Sequence, residues 1–313
     1  MMFSLPSLAL AIFSAATYAS AQSDIPLSNS LQKILSQSDK GMYTYPTSLT
    51  QGIIPKPFHS HNDYWRPVPF YSALSHGAIS IEADVWLYND TLHVGHEESA
   101  LTANRTLKSL YIDPLLSVLR AQNPDSEFIT DGKPTRNGVF DTNSGQTTFL
   151  FIDVKTEGAE TFSYVIKALQ PLRDAGYLTV FNGSTVIPGP VTVIGTGNTP
   201  LNQIQGVAPR DYFFDAQLST LRTAQKNITA EVSPIASTDF SGKIGEVKGG
   251  ALSEEQLEVL RGQIEEAHAK GIMVRYWDLP GWPVRTRDVV WRTLWDEGVD
   301  LLNVDDLEAV ANF

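Results

Sequence analysis

The chain predicts an α/β fold, a (β/α)8 TIM barrel, on three observations. From Pro57 onwards, short β-type runs alternate with helical segments. Eight such strand runs occur, and they span roughly the 250 residues that a barrel of this kind needs. Most runs are apolar on both faces, as strands are when helices cover a parallel sheet from outside. The helical segments after strands four to six are short or weak. An irregular or open barrel therefore stays within the expectation, whereas a doubly wound sheet does not.

Taken in order, Pro57–His61 forms the first strand, and Val68–Ser75 the helix after it. Ala78–Trp86 is the second strand, with Thr91–Val94 pairing back on it and a helix over Thr106–Ala121. Residues 122–147 are polar and turn-rich, a long loop before the third strand, Thr148–Val154. Ala159–Ala175 is helical. Val191–Gly195, Tyr212–Asp215 and Ala230–Ile235 supply strands four to six. The helix Ser253–Lys270 opens on Ser253-Glu254-Glu255-Gln256, a reciprocal capping pattern, and stops at Gly271. Ile272–Trp277, a helix over Val284–Glu297 and the strand Asp300–Val304 complete the series.

Ahead of this domain, residues 55–313, lie two other segments. Met1 to Ala21 reads as a secretory signal: Leu5–Ala16 is apolar and Ala19-Ser20-Ala21 gives a small-x-small cleavage pattern, although no basic residue precedes Lys33. Residues 22–54 are rich in Ser, Gln, Thr and Pro, and read as a leader packed on the barrel, with a helical turn or two around Leu31 to Ser36. The apolar run is too short to span a bilayer, and no other segment reaches the roughly 18 apolar residues required. The expected location is thus extracellular. Four sequons, at Asn89, Asn104, Asn182 and Asn227, agree with export.

Composition narrows the chemistry. A net charge of -12 argues against a nucleic-acid partner, which would require a basic face. There is no cysteine in the 313 residues, which excludes disulfides, thiolate metal sites and cysteine nucleophiles. The chain must hold itself together through its core, and 42% hydrophobic residues is ample for that. Oligomeric state leaves no mark on the sequence.

Side chains two apart on a strand share a face. Glu82 and Asp84 therefore project together from the second strand, and Asp153 and Lys155 together from the third. Apolar strands seldom turn paired charges inward unless something of opposite charge binds there, because burying unpaired charge is costly. Glu82, Asp84 and Asp153 suit a hard divalent cation with oxygen ligands, Mg²⁺ first and Ca²⁺ as runner-up. Four of the six histidines, His59, His61, His93 and His96, fall within the same stretch. Imidazoles beside a cation can give and take protons near neutral pH. His61 and His96 end their segments, but His59 shares the face of His61, and spacing does not separate the two. Asn198, Asp215, Ser237, Trp277 and Asn303 fall at or near strand ends, where a barrel builds its mouth. Arg105 and Lys108 follow the His96 loop, within range of a phosphate or of solvent. Asp305 and Asp306 are read as candidates to cap the last helix.

Taken as an ordered set, His61-Asn62-Asp63, Glu82-Ala83-Asp84, Gly95-His96 and Phe151-Ile152-Asp153-Val154-Lys155-Thr156 resemble the phospholipase C-like phosphodiesterase superfamily. That group includes glycerophosphodiester phosphodiesterases, bacterial phosphatidylinositol phospholipases C and sphingomyelinase D toxins. His59 to Tyr64, Arg105-Thr106-Leu107 and Tyr276-Trp277-Asp278 are similar to its fungal branch named for altered inheritance of mitochondria protein 6. The resemblance implies metal-assisted attack on a phosphodiester by water or an internal hydroxyl. By position it makes His61 and His96 the acid/base pair, places Glu82, Asp84 and Asp153 on Mg²⁺, and sets Lys155 near the phosphate. Asn62, Arg105, Asn198, Trp277 and Asn303 are the candidate substrate contacts. Asn62 stands where glycerophosphodiesterases usually carry Arg, and Asp153 where they carry Glu, so the resemblance implies a small-molecule or lipid phosphodiester without naming it. A ligand-binding barrel without catalysis is the competing class. A glycosidase would work through acids alone, against which the flanking histidines and the Asp153/Lys155 pair both speak.

Overall fold

Eight parallel strands close on themselves, each bonded to the next around the ring, with the first strand pairing both with the last and with the second. The computed structural model describes residues 28–37, 40–43, 45–129, 135–248 and 250–313, so the expected signal segment lies outside it. The chain falls into two compact units, Met1–Tyr45 and Pro46–Phe313. In the first, the described residues form helices α1 (Asn29–Gln37) and α2 (Lys40–Tyr43). The barrel belongs to the second.

In that unit β1 (Lys56–Ser60) leads through α3 (Tyr71–His76) to β2 (Ala78–Tyr88), and β3 (Thr91–Val94) folds back antiparallel on β2. A π-helical turn over Lys108–Ile112 runs into α4 (Asp113–Gln122). β4 (Thr148–Val154) follows the long loop and is succeeded by α5 (Gly158–Ala168) and α6 (Gln170–Asp174). A small hairpin, β5 (Val180–Phe181) and β6 (Val186–Ile187), precedes β7 (Val191–Gly197). β8 (Phe213–Gln217), β9 (Ile235–Asp239) and α7 (Phe240–Lys243) come next. α8 (Glu254–Ala269), β10 (Met273–Trp277), α9 (Val284–Asp296), β11 (Leu301–Val304) and α10 (Leu307–Ala311) close the chain.

The closed parallel barrel matches the fold read from the sequence. After its fourth and fifth strands only three-residue helical turns form, Leu201–Gln203 and Leu218–Thr220, whereas after the sixth the short α7 is followed by the long helix α8. Two local readings change. The sixth strand lies at Ile235–Asp239, beyond the expected Ala230–Ile235. Pro234 has no N–H to give a ladder, so residues before it turn instead, with Val232 and Ser233 both donating to the Thr229 carbonyl. The helix expected over Ala159–Ala175 breaks at Leu169, just ahead of Pro171, into α5 and α6. Elsewhere the capping pattern at Ser253 and Gln256 forms as read, with both reciprocal bonds present.

Both faces of the barrel strands are buried. On β4, Phe149 and Phe151 alternate with Leu150, Ile152 and Val154, and all are buried. The 122–147 loop carries its own anchor, because Val139 and Phe140 are wholly buried. Asp141 in that loop accepts hydrogen bonds from Thr47, Thr50 and Gln122. β4 pairs in parallel with β2, and the register brings Asp84 opposite Asp153.

Candidate active site

The carboxyl ends of β1, β2 and β4 gather the acids and histidines. In a parallel barrel that end is where side chains and loops of successive strands converge. One carboxylate oxygen from each of Glu82, Asp84 and Asp153 lies within 4.8 Å of the others. Lys155 places its ammonium between two of them, 3.0 Å from Asp84 Oδ2 and 2.8 Å from Asp153 Oδ2.

Each acid is held differently. Glu82 is buried and accepts the backbone N–H of Asn62 at 2.9 Å. Asn62 aims that amide by adopting φ 48°, a left-handed conformation that asparagine tolerates better than most residues. Burial opposes the Glu82 charge, yet His59 and the Arg275 guanidinium outweigh it, so the carboxyl stays well below its ordinary range. Asp84 is pushed up to about 7, first by burial and then by the charges of Glu82 and Asp153. Its Oδ1 is buried with no hydrogen-bond partner among the described residues. Burial also raises Asp153, against the pull of Lys155. Gly197 on β7 leaves the room for Asp153, since a Cβ there would fall 1.9 Å from its Oδ1.

An orphaned buried carboxylate oxygen, set among three converging acids, is what a hard dication relieves. The donor set is all oxygen, so the residues present fit Mg²⁺ and offer zinc little.

The histidines on and just past β1 separate by depth. His59 is wholly buried, with Nδ1 2.7 Å from Ser80 Oγ and its ring edge-on to Phe151. Burial holds its pKa down to about 3, so it is a neutral packing group. His61 stands at the mouth with a quarter of its side chain exposed. Its Nδ1 lies 2.9 Å from Asp305 Oδ1. Burial works against its protonation, but the Asp305 hydrogen bond and the Glu82 and Asp305 charges prevail and raise its pKa. His96 follows β3, in a loop pinned by the bond from Trp86 Nε1 to the Gly95 carbonyl at 2.7 Å. Its Nδ1 lies 3.1 Å from the Tyr64 hydroxyl and 3.5 Å from Asp84 Oδ2.

Of the other sequence candidates, Asn62 joins the site, with Nδ2 3.5 Å from His61 Nδ1. Trp277 ends β10 and is partly exposed. Arg105 and Asn198 are engaged with backbone: Arg105 Nη2 donates to the Tyr64 carbonyl, and Asn198 Nδ2 to the carbonyls of Lys155 and Thr156. Asn303 lies buried one layer deeper, accepting from Arg275 Nη1 at 2.8 Å. Lys108 pairs with Asp113 instead of facing the mouth.

Sequence reading passed over Tyr64 and Arg275. Tyr64 is buried, and its hydroxyl contacts Asn62 Oδ1, Asp84 Oδ2 and His96 Nδ1. Burial, followed by the Asp84 charge, raises its pKa far above the ordinary value. Arg275 is buried under the acids, bonded to Ser237 and Asn303, with its guanidinium 4.7 Å from the Phe151 ring centre. A lone charge within Met273-Val274-Arg275-Tyr276-Trp277 is the same signal that Glu82 and Asp84 gave. Of the two acids read as caps, Asp306 caps α10 through Ala309 N, while Asp305 turns to His61.

A closed parallel barrel with this acid and histidine constellation at its carboxyl end defines a phosphodiesterase-like barrel. A family model described as AIM6-like phosphodiesterase domain matches residues 47–215, and the chain belongs to that family. It is 55% identical over 298 residues to the altered inheritance of mitochondria protein 6 homolog of Arthroderma benhamiae, covering 92% of this chain and 93% of that protein. Altered inheritance of mitochondria protein 6 of Eremothecium gossypii is 39% identical over 82% of this chain and 68% of its own length. Its counterpart in Candida glabrata is 35% identical over 85% and 72%.

Proposed function

We propose that this barrel is a Mg²⁺-assisted phosphodiesterase acting on glycerophosphodiesters or phospholipid head groups by two-histidine acid/base catalysis. The observation that carries the reading is that two histidines flank the carboxylates, each with Nδ1 tied to a protein group and with Nε2 beyond hydrogen-bond distance of its nearest carboxylate, Glu82 at 3.9 Å for His61 and Glu97 at 4.0 Å for His96. Glu82, Asp84 and Asp153 would hold the cation. When bound, the cation supplies positive charge against the non-bridging phosphate oxygens, where charge gathers in the transition state.

This chain's own groups do the rest. One imidazole takes the proton from the attacking water or internal hydroxyl, and the other gives a proton to the departing oxygen. His61, held by Asp305, and His96, held by Tyr64, fill these two places. Lys155 adds a second positive charge beside the acids for the phosphate to meet. Asn62 and Trp277 are the candidate contacts for the rest of the substrate.

The test joins metal analysis to a panel of phosphodiesters followed by ³¹P NMR, with and without chelator. Turnover should vanish with chelator and fall sharply in His61→Ala and in His96→Ala. Undiminished hydrolysis in both variants sinks the two-histidine mechanism. Export past a cleaved Met1–Ala21 segment, with glycans on exposed sequons, belongs to the same proposal. N-terminal sequencing and mass measurement of the protein from culture medium check both points.

A further inference from the structure

We infer that Tyr64 is a positioning residue: its hydroxyl fixes the ring orientation and tautomer of His96, leaving Nε2 as the nitrogen that exchanges a proton with substrate. The consequence for catalysis rests on the phosphodiesterase reading; the tautomer itself does not.

The tautomer follows from a count of hydrogens. The Tyr64 hydroxyl has one to donate, and two oxygens lie in reach, Asn62 Oδ1 and Asp84 Oδ2 at 2.7 Å. Given to either, that hydrogen leaves only a lone pair for the third neighbour, His96 Nδ1 at 3.1 Å. A lone pair attracts an N–H and repels a bare nitrogen, so Nδ1 carries the hydrogen of the neutral ring. Nε2 is then bare.

The hydroxyl is fixed in place. Tyr64 is 2% exposed, it belongs to the short helical turn Asp63–Trp65, and its carbonyl accepts from Arg105 Nη2. Asp63 anchors that turn from below, accepting from Ser60 Oγ at 2.8 Å and from Phe70 N at 2.6 Å. On the outer side the indole of Trp65 lies 5.1 Å from the His96 ring centre and limits rotation. His96 is otherwise open to solvent, with 44% of its side chain exposed. Asp84 Oδ2, 3.5 Å from Nδ1, favours the same Nδ1–H, and the more distant Glu97 Oε1, 4.0 Å from Nε2, is the one carboxylate on the other side of the ring among the described residues. The arrangement parallels that of His61, with a hydroxyl where His61 has a carboxylate.

The test uses the full-length ¹⁵N-labelled protein at about pH 8, where an unperturbed imidazole is neutral. Long-range ¹H–¹⁵N correlations report the state of each ring nitrogen, and the His96→Gln spectrum identifies the His96 signals. Wild type should show a protonated Nδ1 and a bare Nε2; the reverse pattern overturns the inference. Tyr64→Phe should move both nitrogens towards averaged values, and an unchanged His96 pattern overturns it equally. Turnover of bis(4-nitrophenyl) phosphate should fall about 10- to 100-fold in Tyr64→Phe with KM nearly constant; an effect confined to KM counts against positioning. If Tyr64→Phe does not fold, the wild-type tautomer decides alone. Failure of the wild type to cleave any phosphodiester would remove the reaction and leave the Tyr64–His96 result standing on its spectrum.

Discussion

His61 Nδ1 and Asp305 Oδ1 lie 2.9 Å apart, although 244 residues separate them in the chain. Barrel closure brings them together: β1 pairs with β11, Ser60 opposite Val304, so the residues just past each strand meet. The contact is braced from both sides. Arg66 donates to the carbonyls of His61 and Asp305, and His61 N donates to the Val304 carbonyl at 3.1 Å. Asp305 therefore holds the Nδ1–H tautomer of His61.

Asp305→Asn is expected to keep the shape and lose that direction, because an amide can present its NH2 to Nδ1 and favour the other tautomer. Turnover should fall about 100-fold or more. The melting temperature should scarcely move, since the Asp305 side chain is 66% exposed and an open ion pair contributes little to stability. Steady-state kinetics beside a thermal melt separates the two effects. Equal turnover in the variant would remove Asp305 from the mechanism.

Lys155 makes a second prediction with two opposed signs. Its ammonium is the single cation in direct contact with Asp84 and Asp153 among the described residues. Lys155→Met leaves those acids unneutralised, so the metal-free protein should lose roughly 3 kcal/mol of stability. The same change removes a competitor for the acids, and Mg²⁺ affinity should rise about tenfold, ~1.4 kcal/mol. Calorimetric titration with Mg²⁺ decides it; weaker binding in Lys155→Met would mean that the lysine does not compete.

What the sequence shows of this site depends on how far each signal reaches. Alternation within one strand is local, and it puts Glu82 and Asp84 on one face and marks β4 to the residue. It does not separate His59 from His61, which share a phase and differ only in depth within the barrel. Tyr64 and Asp305 lie in turns beyond strand ends, where alternation stops and partners are set by which strands become neighbours. β9 escapes the pattern for a local reason: Ala230, Val232 and Pro234 alternate as apolar residues do on a strand, but Pro234 cannot join a ladder.

Asp215 should leave its mark on the pH dependence of stability. Its side chain is buried, and that burial raises its pKa from 3.8 to about 6, although Arg275 at 3.9 Å opposes the rise. Between those values the folded chain keeps a proton that the unfolded chain releases. Protonation thus favours the fold, and stability falls as pH rises from about 4 to about 6. The full effect is roughly 3 kcal/mol, because each tenfold gain in proton affinity on folding is worth about 1.4 kcal/mol. Asp215→Asn cannot titrate there. Urea unfolding across that range should show wild type losing about this much relative to the variant, and parallel curves would rule out a raised pKa at Asp215.

Gly197 gives the sharpest steric test of the acid cluster. It adopts φ +62°, a region costly for any residue with a Cβ. A Cβ at this point would sit 1.9 Å from Asp153 Oδ1 and 2.8 Å from the Val154 carbonyl oxygen. In Gly197→Ala the carboxylate must swing away or β7 must part from β4, whose last registered pair is Val154 with Gly197. Either response moves Asp153 from Glu82 and Asp84 without altering a single proposed ligand. Mg²⁺ affinity should fall about 10- to 100-fold, the usual scale for displacing a metal-binding carboxylate through its support. Asp153→Asn measured beside it supplies the control. If Gly197→Ala folds and binds Mg²⁺ as tightly as wild type, the cation does not depend on Asp153 being held where β7 leaves room for it.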